Sequence, residues 1–218
     1  MSFDFSLIWN SLPLLLAGAG VTIEITAIAV GLGFIFGLIT SVCRLSGVKI
    51  LQVIAVCYVN IIRGTPMLVQ IFLIYFALPM VGIKLSDLTA ALFAFTLNYA
   101  AYFAEIFRAG IQSINRGQYE AAKTLGMSYP QTMQRIILPQ VIRRVLPPIS
   151  NETINLVKDT SLIYILAMND LLRVARTIVQ REFDMTPFII AGIFYLGMTL
   201  VLTAIFKNLE KKYAAYDE

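Results

Sequence analysis

The chain is poor in charge and has no histidine. Only 14% of its 218 residues are charged, against 58% hydrophobic, where a soluble domain carries about 25% charged residues. Without histidine there is no imidazole base and no histidine-ligated metal. The two cysteines, Cys43 and Cys57, follow no metal-ligand spacing and read as small buried apolar residues. No G-x4-GK[ST] phosphate loop is present, so the chain is not expected to hydrolyse ATP by itself. The first basic residue is Arg44. A cleavable secretory signal begins with a positive stretch, so none is expected.

Long apolar runs are what the sequence does have. Mean hydropathy is +0.78, and a membrane-crossing helix needs about 20 mostly apolar residues. Five stretches qualify: 12–43, 50–83, 88–110, 147–172 and 187–206. The expected class is an all-α integral membrane protein forming one domain over 1–218, with a polar insert at about 112–140. The second stretch is ambiguous. Thr65-Pro66 is a helix-start pair, with Thr as cap and Pro in the first turn, so either one helix kinks there or 50–62 is a separate buried piece. Gly33 and Gly37 form a small-xxx-small pair that permits close helix packing.

Short loops rich in Lys and Arg mark the cytoplasmic side. Arg44 and Lys49 follow the first span. Arg108, Arg116, Lys123, Arg135, Arg143 and Arg144 follow the third, and Lys207, Lys211 and Lys212 end the chain. The expected topology has the amino terminus outside and the carboxyl terminus inside. Arg173, Arg176 and Arg181 dissent, since they fall on the outer side. The pI near 9.1 reflects these inner loops and is no argument for nucleic acid.

The insert reads GQYEAAKTLGMSYPQTMQRIILP from Gly117 to Pro139. Residues 118–125 suit a short helix with small side chains. Gly126 suits the left-handed residue that ends a helix. Ser128 and Gln131 form a capping box for a second helix, expected to stop before Pro139. Two short helices joined by a rigid corner are therefore expected.

The order Glu120-Ala121-Ala122, Gly126, Ile136, Leu138-Pro139 gives EAA-x3-G-x9-I-x-LP. It resembles the EAA loop of ABC-importer permeases. Arg63-Gly64-Thr65-Pro66, the stretch AEIFRAGIQSINRGQYEAA and Lys158-Asp159-Thr160-Ser161-Leu162 extend the resemblance to the permeases of bacterial polar amino-acid importers, of the histidine, glutamine and arginine type. The resemblance implies a type I importer permease with no enzymatic activity of its own. It implies an ATPase subunit dimer that binds ATP and Mg, a second permease copy, and an extracytoplasmic amino-acid-binding protein. It also implies that Glu120, Ala121, Ala122, Lys123 and Gly126 dock on the ATPase.

Ionisable groups at mid-bilayer cost about 2.5–3.5 kcal/mol on insertion scales. Glu24, Asn98 and Asp159 fall within roughly 5 Å of one plane by helical rise, a depth at which transporter sites lie. Asn98, Tyr102 and Glu105 share a helix face. The substrate-binding set expected from these arguments is Glu24, Asn98, Tyr102, Asp159, Thr160 and Ser161. A polar network holding the bundle together is the alternative, and for the i, i+3 pair Glu105 and Arg108 it is the preferred one. Glu24 and Asp159 together favour a cationic cargo such as arginine, lysine or histidine. Neutral polar amino acids and an ion-driven secondary transporter are the competing readings.

Overall fold

A computed structural model describes residues 5–214, all helix, turn and coil. Helix α1 (Phe5–Leu45) and helix α4 (Asp87–Gln112) form its centre. Their contact is made by small residues. Ala94, Ala100, Ala101 and Ala104 of α4 are buried. A Cβ placed on Gly37 would lie 2.7 Å from the Phe103 Cβ and 3.0 Å from the Ala100 carbonyl oxygen. The backbones touch because no side chain intervenes. Ser86 caps α4, accepting from the Thr89 amide at 3.3 Å.

Between these helices, α2 (Lys49–Arg63) and α3 (Met67–Phe72) are bent by 107° at Gly64-Thr65-Pro66. Thr65 is not the cap expected of it. Pro66 occupies that position without a side-chain bond, and the Thr65 hydroxyl instead donates back to the Ile61 carbonyl at 2.8 Å. Nor is α2 a buried piece, since only Ala55 and Val59 are buried on it. Cys57 is exposed on its outer face, which corrects the expectation of a buried thiol. Cys43 is half-buried. A π turn (Leu73–Ala77) and a 3-10 turn (Leu78–Val81) lead to the left-handed Gly82.

The insert forms α5 (Arg116–Thr124) and α6 (Tyr129–Thr132). The second of these does not stop before Pro139. A π turn at Met133–Ile137 carries it directly into α7 (Leu138–Asp159), where Pro139 sits in the first turn. The widened π register relieves the clash a proline ring would make with the preceding turn. Pro147 and Pro148 lie inside α7 and remove two rungs of its ladder.

The stretch expected to span 147–172 is also not one helix. At Asp159 the backbone tightens into a 3-10 segment (Thr160–Leu166), which ends at Ala167 in the left-handed region. The cause is local: the Thr160 hydroxyl donates to the Val157 carbonyl at 2.7 Å, an alternative that hydroxyl side chains offer a helix. Asp170 then caps α8 (Leu171–Glu182), accepting from the Leu172 and Arg173 amides at 3.1 and 3.2 Å. Helix α8 lies so close to α1 that a Cβ on Gly18 would be 3.0 Å from the Leu171 Cα. Helix α9 (Thr186–Ala214) closes the bundle. Its Ile189, Ile193, Leu196 and Leu200 are exposed, an apolar face that suits lipid.

Three of these helices are long and apolar enough to cross a membrane: Leu7–Leu45, Asp87–Gln112 and Thr186–Tyr213. The bent pair would make a fourth. Helix α7 is about 33 Å long at 1.5 Å per residue, which is also sufficient in length, and it carries Arg143, Arg144, Glu152, Lys158 and Asp159.

Candidate functional site

Helix α7 places Glu152, Asn155 and Asp159 at i, i+3 and i+7, on one face. Helix α4 turns Asn98, Tyr99 and Tyr102 toward them. The bend at Thr65-Pro66-Met67 forms the third wall. Together these nine residues line a cavity of about 340 Å³, a volume suited to a small solute.

Hydrogen bonds fix each wall. Tyr99 donates to Asp159 Oδ2 at 2.7 Å. Asn98 donates to Gln70 Oε1 at 2.9 Å. The Gln70 amide nitrogen in turn lies 2.8 Å from the Ile62 carbonyl and 2.9 Å from the Thr65 hydroxyl. One buried amide therefore ties the bent backbone to α4. The cavity holds two carboxylates, and no basic side chain lines it. Outside the lining, the guanidinium of Arg63 lies 5.3 Å over the ring of Tyr102.

The structure brings Asn98, Tyr102 and Asp159 together, but not the rest of the expected set. Glu24 is exposed on α1 and does not line the cavity. Thr160 is fully buried, with its hydroxyl turned back to its own helix. Ser161 is half-buried and also outside the lining. Glu152, Asn155 and Tyr99 were missed. For the first two the signal was available, because they share the Asp159 face at helical spacing. Tyr99 and Gln70 carry no pattern that separates them from core residues.

Glu105 sits at the insert end of α4 and does structural work. It is ion-paired with Arg44 of α1 and with Arg108 one turn on, and Arg63 lies 3.9 Å away. The Arg63 guanidinium also stands 5.3 Å over the Tyr102 ring. Neutralising the acid would leave three arginines around a partly buried group that no longer balances their charge. Glu105→Gln is expected to destabilise the folded protein by about 1–3 kcal/mol, read as a fall in melting temperature in detergent. An unchanged melting temperature would show that the arginines find other partners.

The insert has its own geometry. Asn115 caps α5, accepting from the Gly117 amide at 2.8 Å. At the other end Met127 donates to the Ala122 carbonyl and Gly126 to that of Lys123, both at 3.0 Å, with Gly126 at φ +73°. This double bond across a left-handed residue is a Schellman motif. The Ser128 amide donates to Gln131 Oε1 at 2.9 Å. Ala122 is buried, while Glu120, Ala121 and Lys123 are exposed. Leu125 and Tyr129 stand beside the corner with 78% and 71% of their surface free.

A polar cavity within an apolar bundle and a rigid helical corner are the two features on which the comparison with known proteins bears. Residues 29–215 match the family described as the binding-protein-dependent transport system inner membrane component. The chain belongs to this family. The permease is 36% identical over the full length of both chains to the arginine transport system permease ArtQ of Bacillus subtilis. It is 39% identical to the glutamine transport system permease GlnP of Escherichia coli (strain K12), over 97% of this chain and 98% of that one. A crystal structure of an amino acid ABC transporter with histidines superposes with a TM-score of 0.91 at 36% identity, covering 97% of this chain and all of the other. The fold is that of a type I ABC importer permease, a membrane subunit of an amino-acid importer and not itself an enzyme. In this family nucleotide binding belongs to a partner ATPase, and a substrate-binding protein is a further partner.

Proposed function

We propose that this permease carries amino acids with cationic side chains, such as arginine, lysine or histidine, through the cavity between α3, α4 and α7. The observation behind this is the pair Glu152 and Asp159 with no basic residue in the same lining. Asn98 and Tyr102 supply the remaining polar wall. Thr160 acts by holding Asp159 at the start of the 3-10 segment. The name of ArtQ fits this reading. The name of GlnP favours a second one, a neutral polar cargo such as glutamine.

The chain crosses the membrane five times in this reading, with α2 and α3 together as one broken crossing and α7 as the fourth. The amino terminus is outside, and the insert and carboxyl terminus are cytoplasmic. Basic residues support that orientation. The dissenting arginines of the outer helix α8 are largely occupied: Arg173 donates to the Tyr164 carbonyl at 3.0 Å, Arg176 stands 5.4 Å over the Tyr164 ring, and Arg181 pairs with Glu182 at 2.6 Å. Two copies related by a two-fold axis form the pathway, the closed symmetry most common among paired subunits. The exposed Glu120, Ala121 and Lys123, with the corner at Gly126, dock on the ATPase and pass on its closure.

The test is uptake into proteoliposomes holding the permease, its ATPase and its binding protein. Labelled arginine is compared with citrulline, which replaces the guanidinium by a neutral urea of nearly the same shape. ATP-dependent arginine uptake at least tenfold above citrulline is expected. Equal uptake of the two would overturn the cationic reading, and uptake driven by an ion gradient without the ATPase would overturn the coupling scheme.

A further inference from the structure

A second cavity opens below the first along the same pair of helices. It has a volume of about 410 Å³ and is lined by Glu105, Ile106, Ala109 and Gly110 of α4, by Ser113 just past its end, and by Arg144 and Pro148 of α7. Pro148 is one helical turn from Glu152, and Ile106 one turn from Tyr102. The two cavities therefore follow one groove, the upper acidic and the lower at the insert end.

The lower cavity has one acid and one base in its lining, Glu105 and Arg144, and further guanidinium groups stand around the acid. Its one acid, Glu105, is already paired with Arg44 and Arg108. Arg63 adds a third guanidinium at 3.9 Å, with 40% of its side chain free. Arg144 is exposed and donates to the Ser113 carbonyl across the cavity wall. With Arg144 in the lining and Arg44, Arg63 and Arg108 gathered around Glu105, four arginines against one carboxylate leave a surplus of positive charge beside a cleft whose low-dielectric walls focus potential.

We infer that the insert end of the groove is a charge-selective mouth, in which Arg63 and Arg144 keep cations out and admit anions. For the transport cycle proposed above, on which its direction rests, this makes the mouth a barrier to cytosolic cations refilling the inward-open cavity. A cationic cargo leaving the cavity crosses the same barrier, so the arginines exchange release rate for protection against back-entry. No part of the charge argument depends on which amino acid is carried.

The experiment uses the permease–ATPase complex in lipid nanodiscs with Cys43→Ser and Cys57→Ser, since Cys57 is exposed. Ala109→Cys then reports from the lining of the lower cavity, where Ala109 is exposed. Two methanethiosulfonates of similar size are compared, one ending in sulfonate and one in trimethylammonium. Each rate is divided by that of the same reagent with free cysteine in solution. The anionic reagent is expected to be favoured about tenfold or more. Arg63→Gln with Arg144→Gln should bring the ratio to within twofold of unity. Raising the salt from about 0.05 to 0.5 M should do the same in the protein with both arginines, which guards against a misfolded variant. A ratio indifferent to both changes overturns the inference, and so does failure of either reagent to reach the new thiol. Because the probes are not amino acids, loss of the cationic-cargo reading would leave this result standing, and the reverse holds too.

Discussion

Glu152→Gln and Asp159→Asn are each expected to lower ATP-driven arginine uptake at sub-saturating concentration by about 10- to 100-fold. A hydrogen bond to a charged group contributes about 1.5–3 kcal/mol, and each 1.4 kcal/mol is about tenfold in affinity. Both acids line one cavity, so both would face the cargo proposed for it. The losses should not add: the double variant is expected to fall short of the product of the singles, because the two carboxylates share one partner. Citrulline uptake, low at the outset, should change little. Asn at 159 still accepts from Tyr99, whose 2.7 Å bond to the acid needs an oxygen and not a charge, so folding should survive. Glu24→Gln serves as the control, since Glu24 lies outside the lining, and it should stay within about twofold of the parent. Full arginine uptake by Glu152→Gln would remove the electrostatic account of the cavity.

The second large effect concerns folding. Gly37→Val is expected to destabilise the protein by about 3 kcal/mol or more, enough to abolish recovery of folded permease from membranes. Overpacking costs typically 1–3 kcal/mol when side chains can give way. At Gly37 the obstacles include backbone, the Ala100 carbonyl at 3.0 Å and the Ala104 amide at 3.2 Å from the added Cβ. Neither can turn aside, so α1 and α4 must separate along the seam that holds the bundle together. Gly31→Ala on the same helix is the matched control, because a Cβ there meets nothing within 4 Å. It should be neutral or stabilising by up to about 1 kcal/mol, the usual gain of Ala over Gly in a helix. Monodispersity and melting temperature in detergent read both variants. A Gly37→Val protein as stable as its parent would mean that the α1–α4 seam can open without cost.

Much of the architecture was legible in the residues. Long apolar runs reported the helical membrane class, and the EAA pattern reported the family. Gly126 and the Ser128–Gln131 pair announced the corner because caps are written in local chemistry. What was hidden depended on tertiary or register effects. The passage of Pro139 through a helix required a π turn, which leaves no compositional mark. The end of α7 at Asp159 was partly legible, because the hydroxyls of Thr160 and Ser161 are of the kind that bends a helix, but the apolar run Leu162–Leu166 beyond them reads as the same span. The cavity was half visible. Asn98, Tyr102 and Asp159, expected from depth and face, line it, whereas Glu24, expected from depth alone, does not. A depth estimate says nothing about the direction in which a side chain points around its helix. Applying the face argument to α7 as well would have selected Glu152 in place of Glu24.

The unbroken run from α6 through the π turn into α7 has a mechanical result. Between the corner at Gly126 and the acids of the cavity there is helix but no slack loop, so a tilt imposed on the insert must be absorbed within the helix itself. The softest place is Pro147-Pro148, where two backbone donors are missing. That pair lies one turn before Glu152. Flexure there would swing Glu152 and Asp159 as one arm relative to Asn98 and Tyr102, so that a tilt of the insert would alter the width of the cavity between them.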